Sequence, residues 1–268
     1  MMKGLKAGVI PCGVGIVDSN FMISFHTVLT WDHPDVRPKW FRSPHTMFVI
    51  QHPTAGWILW DLGSRVDSGD TWPKHITKFD KYEGSEELRI ENQLASLGLK
   101  PEDIKYVILS HLHMDHTGYI DLFKDTAEFF VSRTEMMNAC ATVMNSTDVS
   151  THGWYIREEV LCPVKKYHYI DRDTEIFPGI TLITLPGHTP GSLGCILELE
   201  SGTRILTGDA ITCDEIFHGA LPGFLNDSVA FHESIRKVKD YQKKYDAEIW
   251  FSHDPDQFEK WEKVPHLY

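Results

Sequence analysis

His111, His113, Asp115 and His116, all within SHLHMDHTG, place three imidazoles and a carboxylate in one short segment. These are nitrogen and oxygen donors of the kind that hold zinc, and equally iron, manganese or cobalt, so ligand type narrows the metal without choosing it. In a turn that follows a strand, alternate residues can face inward, and one such segment can feed two ions. Three further polar residues sit in comparable punctuation: His188 in GHTPGS, Asp209 in TGDA and His253 in SHD. The alternative is a solvated or hydrogen-bonded loop, which the density of SHLHMDHTG argues against.

Something must carry these residues to one place, and the chain has a recurrent device for it. Four short apolar runs each end at a candidate ligand: KYVILS before His111, GITLITLPG before His188, TRILTG before Asp209 and AEIWFS before His253. They read as buried strands with chemistry at their C-terminal ends. MFVIQHPTAGWILWDLG, residues 47–63, reads as a hairpin turning between Pro53 and Gly56. SEELRIENQLASLG predicts a helix with Ser85 as N-cap, glutamates in its first turn, Ile90, Leu94 and Leu97 on one face, and Gly98 as its stop. Residues 231–245 predict a second amphipathic helix, with Phe231, Ile235, Val238, Tyr241 and Tyr245 on one side. Residues 18–45 and 64–84 read as long excursions of the kind that cover active sites. No linker or repeat divides residues 1–268, so one domain is expected.

Bulk properties exclude some functions. The formal charge is −12 with no dense basic run, which disfavours nucleic acid and anionic membrane surfaces. No stretch approaches the roughly 20 apolar residues of a membrane span, and MMKGLKAGVIPCGVG lacks a signal-peptide core, so a cytoplasmic protein is expected. The five cysteines show no CxxC spacing and read as reduced, mostly buried thiols. Only Cys213, close to Asp209, is a candidate thiol ligand. A small neutral substrate fits this composition best.

With HxHxDH, a GHTPGS turn, a GD aspartate and a late histidine in order, the chain resembles the metallo-β-lactamase superfamily over nearly its whole length. The resemblance implies an α/β fold, a four-layer αββα sandwich. It implies that His111, His113 and His188 hold one divalent ion, that Asp115, His116 and His253 hold a second, and that Asp209 bridges them. Two ions, with zinc expected, would share a water of lowered pKa and polarise a carbonyl. Asp61 in WDLG matches the superfamily's early aspartate and is expected to act through hydrogen bonds rather than as a ligand. His26, His33, His45, His52, His75, His152, His168, His218, His232 and His266 lack such spacing and are expected to be structural or solvent-facing.

Within the superfamily, Asp209 stands where zinc β-lactamases carry a cysteine, and too few residues follow His253 for the helical domain of glyoxalase II-like enzymes. The chain most resembles N-acyl homoserine lactonases and γ-butyrolactone hydrolases, in SHLHMDHTGYI, GWYIREEV (153–160), HGALPGFLNDSV (218–229) and the ending SHDPDQFEKWEKVPHLY. The implied reaction is ring opening of a lactone by a metal-bridging hydroxide, with Asp115 shuttling a proton to the leaving alkoxide; another cyclic or linear ester, or an amide-like ring, is the alternative substrate. Many of these lactonases have a tyrosine three residues after the bridging aspartate, where this chain has Thr212. Thr212 and Phe224 are expected to touch substrate. Trp31, Trp40, Phe41, Phe217, Leu221 and Leu225 are further candidates for an acyl groove. A homodimer packed through the early loop is the expected assembly, if any.

Overall fold

Val, Ile, Phe and Trp concentrate in short runs between Gly, Pro and Asp turns, and in the computed structural model, which describes residues 1–268, these runs become strands of two sheets. The first sheet holds seven: β1 Lys6–Asp18, β2 Trp40–His52, β3 Gly56–Trp60, β4 Lys81–Glu83, β5 Ile104–Ile108, β6 Glu128–Ser132 and β7 Tyr167–Ile170, in the order β4-β1-β2-β3-β5-β6-β7. The second holds β8 Thr174–Phe177, β9 Ile180–Thr184, β10 Leu193–Leu199, β11 Gly202–Leu206 and β12 Glu248–Trp250, in the order β12-β11-β10-β9-β8. β3, β5, β6 and β7 run parallel, as do β11 and β12.

Period-two alternation sends neighbouring side chains to opposite layers. Phe48, Ile50, Ile58, Trp60 and Ile108 face the second sheet and meet Leu182, Leu193, Leu197, Leu206 and Trp250. Val49, Leu59, Val107 and Phe129, one position away, face outward against Ile90, Leu94, Met136, Ala139 and Val143 of the Ile90–Ser96 and Arg133–Met144 helices. On the other side Ile183, Ile196, Ile205 and Ile249 meet Phe231, Ile235 and Val238 of the Ser228–Tyr245 helix. The result is helix, sheet, sheet, helix, with each buried Phe, Ile or Leu side chain stabilising the fold by about 1.5–3 kcal/mol.

The Ser228–Tyr245 helix forms where its apolar face predicts, and Asp227 caps it by accepting from the Val229 and Ala230 N–H groups at 2.9 and 3.0 Å. Asp173 then ties it to β9, accepting from Lys237 at 2.6 Å, Tyr241 at 2.7 Å and the Thr184 N–H at 3.0 Å. The expected 85–98 helix is instead broken. Glu86–Leu88 is a 3-10 turn, Arg89 is extended (φ −56°, ψ 132°), and the α-helix runs only Ile90–Ser96. Arg89 folds back onto Glu86 at 2.9 Å, and the Asn92 and Gln93 amides occupy the Glu86 and Glu87 carbonyls that a continuous helix would have used internally. Gly98 stops the helix at φ +73° as expected.

The two excursions are more ordered than the sequence implied. Residues 40–45 belong to β2, and 64–84 hold two helical turns and β4. β1, not anticipated at all, pairs with β2 along most of its length, with a register shift between Pro11 and Val14.

Candidate metal centre

Every candidate ligand lies just past a strand. β5 delivers the 110–116 segment and β3 delivers Asp61; β9, β11 and β12 of the other sheet deliver His188, Asp209 and His253. The sheets meet here through a Leu193 N–H to Ser110 carbonyl bond of 2.8 Å. Gly208 (φ +51°) permits the approach, since a Cβ there would stand 2.9 Å from the Ser110 Cβ.

The seven donors fall into two groups, His111, His113 and His188 in one and Asp115, His116, Asp209 and His253 in the other, with ligand atoms of each group within 4.8 Å of one another. Asp209 spans them. Its Oδ1 lies 3.0 Å from His253 Nε2 and 3.2 Å from His116 Nε2, while its Oδ2 lies 3.5 Å from His188 Nε2. Asp115 Oδ2 is 3.6 Å from both His116 Nε2 and His253 Nε2.

The outer ring nitrogens are already committed. His116 Nδ1 donates to Asp61 Oδ2 at 2.9 Å, and His253 Nδ1 donates to the Pro44 carbonyl at 2.9 Å with Ser43 Oγ 3.0 Å away. His111 Nδ1 sits 3.0 Å from Ser110 Oγ. Asp61, held at φ +60°, also accepts the Ser110 N–H at 2.7 Å, which is the hydrogen-bonding role expected of it. Such partners fix the tautomer that turns Nε2 inward as a lone pair. His111 Nε2 is buried without a hydrogen-bond partner; His116 Nε2 is near Asp209 but without the direction of a hydrogen bond. Orphaned acceptors converging with two carboxylates fit divalent cations, and the set could hold two. Cys213 is outside both groups, packed with Ile216 and Phe217.

The two groups differ in charge. Burial and the neighbouring imidazoles push His111 and His113 well down, and burial lowers His188. For His116 burial works the same way, but Asp115, Asp209 and Asp61 outweigh it and hold it well up; at His253 Asp209 likewise outweighs burial. Asp209, despite burial, is held well below the carboxylate range by His253 and His116.

The centre floors a cavity whose apolar wall is Val17, Phe21, Met22, Met114, Trp154, Pro222 and Phe224. Phe21, Trp154 and Phe224 form a chain, with ring centroids 5.2 and 6.3 Å apart, and Phe224 lies 5.3 Å from His188. Two loops zip together to make it: Ser24 N–H donates to the Leu221 carbonyl at 2.7 Å and Gly223 N–H to the Met22 carbonyl at 3.0 Å. Thr212 and Phe224, expected to touch substrate, both line the cavity. The other acyl-groove candidates do not. Trp31 and Trp40 point to solvent, Phe217 and Leu225 pack in the outer core, and Phe41 and Leu221 lie away from the cavity.

Three residues were missed. Glu135, fully buried on the Arg133–Met144 helix, accepts the Leu112 N–H at 3.2 Å, the Gly191 N–H at 3.3 Å and the Tyr155 hydroxyl at 3.0 Å. It thereby braces the HxH segment against the turn of His188. Burial pushes its carboxyl up despite these donors. Gly191 is required there, since a Cβ would stand 2.2 Å from the Glu135 nitrogen. Asp80 and His45, neither marked by spacing, also line the cavity. Burial pushes the Asp80 carboxyl up to about 7 and the His45 imidazole down to about 4.

Comparison with known proteins bears on this arrangement. Residues 40–251 match the Metallo-beta-lactamase superfamily. The chain is 33% identical to the N-acyl homoserine lactonase AttM of Agrobacterium fabrum, over 85% of this chain and 88% of that one. It is 28% identical to the N-acyl homoserine lactonase AiiB of the same organism, over 95% of each. Among solved structures it superposes with a TM-score of 0.83, at 28% identity and complete coverage of both chains, on an N-acyl homoserine lactone hydrolase with the product N-hexanoyl-L-homoserine bound at its catalytic metal center.

Proposed function

The chain belongs to the metallo-β-lactamase superfamily, and on that premise we propose that it is a metal-dependent hydrolase that opens lactone rings, with N-acyl homoserine lactones as its substrate class. The observation that carries this reading is Asp209 spanning two ligand groups in a cavity lined by both apolar and polar side chains. The two groups are assigned to two divalent ions, with zinc as the metal that an imidazole and carboxylate set suits. Bound there, such ions supply a water acidified to near neutral pH and a Lewis acid for the ester carbonyl.

The protein's own groups do the rest. Asp61, Ser110 and the Pro44 carbonyl orient the imidazoles. Asp115, the most exposed carboxylate of the centre with 19% of its side chain open, is placed to carry a proton to the leaving oxygen. Phe21, Met22, Trp154 and Phe224 exclude water and take the acyl chain, and Thr212 offers a hydroxyl beside the ester. No helix is long and apolar enough to cross a membrane, and five free thiols suit a reducing compartment such as the cytoplasm.

Proton release from a series of short- and long-chain acyl homoserine lactones, beside γ-butyrolactone and aryl esters, on protein with its metals counted, tests this. Chain-dependent turnover requiring two metals is expected. A fully metallated protein that opens no lactone would sink the reading, and turnover of the aryl esters alone would favour a linear-ester hydrolase, the substrate that the short Thr212 side chain leaves room for.

A further inference from the structure

His45 stands on β2 and lines the cavity, with its ring edge-on to His253 at a centroid distance of 5.3 Å. Its Nδ1 is 2.7 Å from Ser64 Oγ. Ser64 is buried and its hydroxyl has no other partner, so its proton goes to Nδ1; the reverse arrangement would leave a buried hydroxyl proton without an acceptor. In the neutral ring the remaining proton is therefore on Nε2. That nitrogen bonds to no protein group.

Its surroundings keep it so. The point where a Cβ would sit at Gly15 is 2.8 Å from His45 Nε2 and 2.8 Å from Asp80 Oδ1, so glycine at 15 leaves the N–H unobstructed. The Asp80 carboxyl near Gly15 is nine-tenths buried, and its Oδ1 makes no hydrogen bond to His45 or to any other group. Trp72 and Tyr82 pack around the ring at centroid distances of 6.1 and 5.7 Å and hold its plane. The polar lining also holds three carboxylates, Asp80, Asp115 and Asp209, which accept hydrogen bonds. A carbonyl-rich substrate needs donors.

We propose that His45 is a substrate-binding residue, whose Nε2–H donates a hydrogen bond to an ester oxygen of the lactone on the His253 side of the cavity. This rests on the lactone-hydrolase reading above. Ser64 fixes the tautomer and Gly15 the clearance, so the donor is ordered before substrate arrives and costs little to use.

The test compares the wild-type protein with His45→Leu and His45→Gln, each with its metals counted, in steady-state lactone hydrolysis and in calorimetric binding of the ring-opened acyl homoserine. For His45→Leu with two metals bound, kcat/KM is expected to fall about a hundredfold, and product affinity about tenfold. Gln places an amide N–H near the position of Nε2, so His45→Gln should recover most of both. A merely structural His45 would lower thermal stability and metal content in both variants, without recovery by Gln, and that outcome overturns the proposal. So does a His45→Leu protein with two metals and kcat/KM within about threefold of wild type. If the wild-type protein opens no lactone the functional reading itself falls, and this proposal with it; wild-type lactonase activity indifferent to His45 overturns this proposal alone.

Discussion

The two halves of the metal centre are built from overlapping residue types yet solve different electrostatic problems. His111, His113 and His188 are an all-imidazole group, buried and pushed toward neutrality, so their nitrogens stand ready as lone pairs. Around His116 and His253 two carboxylates crowd in and raise the proton affinity of both imidazoles against burial. The first half awaits a cation. The second binds protons more tightly and must give them up to take a cation. The lesson is that carboxylate content, more than histidine count, sets how a half-site loads.

Asp209 serves both halves, so removing it is the largest blow. Asp209→Ala is expected to lose metal and turnover together, with activity down at least about a thousandfold, since a ligand and the charge holding two cations close are both gone. Elemental analysis with a turnover assay checks this, and full activity with two metals would break the two-half description. Next is pH. His116 is held well above the ordinary imidazole value and His253 above it, so a cation that takes either nitrogen displaces a proton at any pH below the folded-state value, and affinity rises with pH by about tenfold per unit for each proton displaced until pH passes those values. Titrating metal-free protein at several pH values should therefore show one site that weakens steeply on acidification and one that weakens little; equal slopes would erase the contrast.

Smaller changes sharpen it. Asp61→Asn removes the carboxylate behind His116 and should weaken the carboxylate-rich half by about 10- to 100-fold while sparing the other. Glu135→Gln is its counterpart beneath the imidazole half: one of the Leu112 and Gly191 N–H groups would face an amide NH2, a cost of about 1–3 kcal/mol. A lower thermal midpoint, with weaker binding confined to the imidazole half, is the expected result, read by calorimetry at two metal loadings.

The seven candidate ligands were legible because four of them close short apolar runs and the other three follow His111 within five residues, and their convergence needs only that those runs be strands ending at one edge. Asp61 was legible for the same reason. The surroundings of His45 were not. β1 is interrupted by Gly8, Pro11, Gly13 and Gly15, which hide its alternation, and pairing of β1 with β2 is what brings His45 and Gly15 together. Asp80 comes from a segment of short helical turns with no periodicity to read. Aromatic content alone misdirected the acyl-groove reading, for Trp31 and Phe41 differ from Phe21 and Trp154 only in where the chain carries them. The 85–98 helix failed for a local reason, since side-chain amides and Arg89 competed for its first-turn groups.

One sheet supplies His111, His113, Asp115 and His116, and the other supplies His188, Asp209 and His253. Cations held between them would therefore act as rivets through the sandwich, and their chemical potential becomes a variable of folding. At free metal about a hundredfold above the dissociation constant, each occupied site adds about 2.7 kcal/mol to the native state. A chelator would thus lower the melting temperature as well as silence the enzyme, loosening the seam between the sheets before either one unravels.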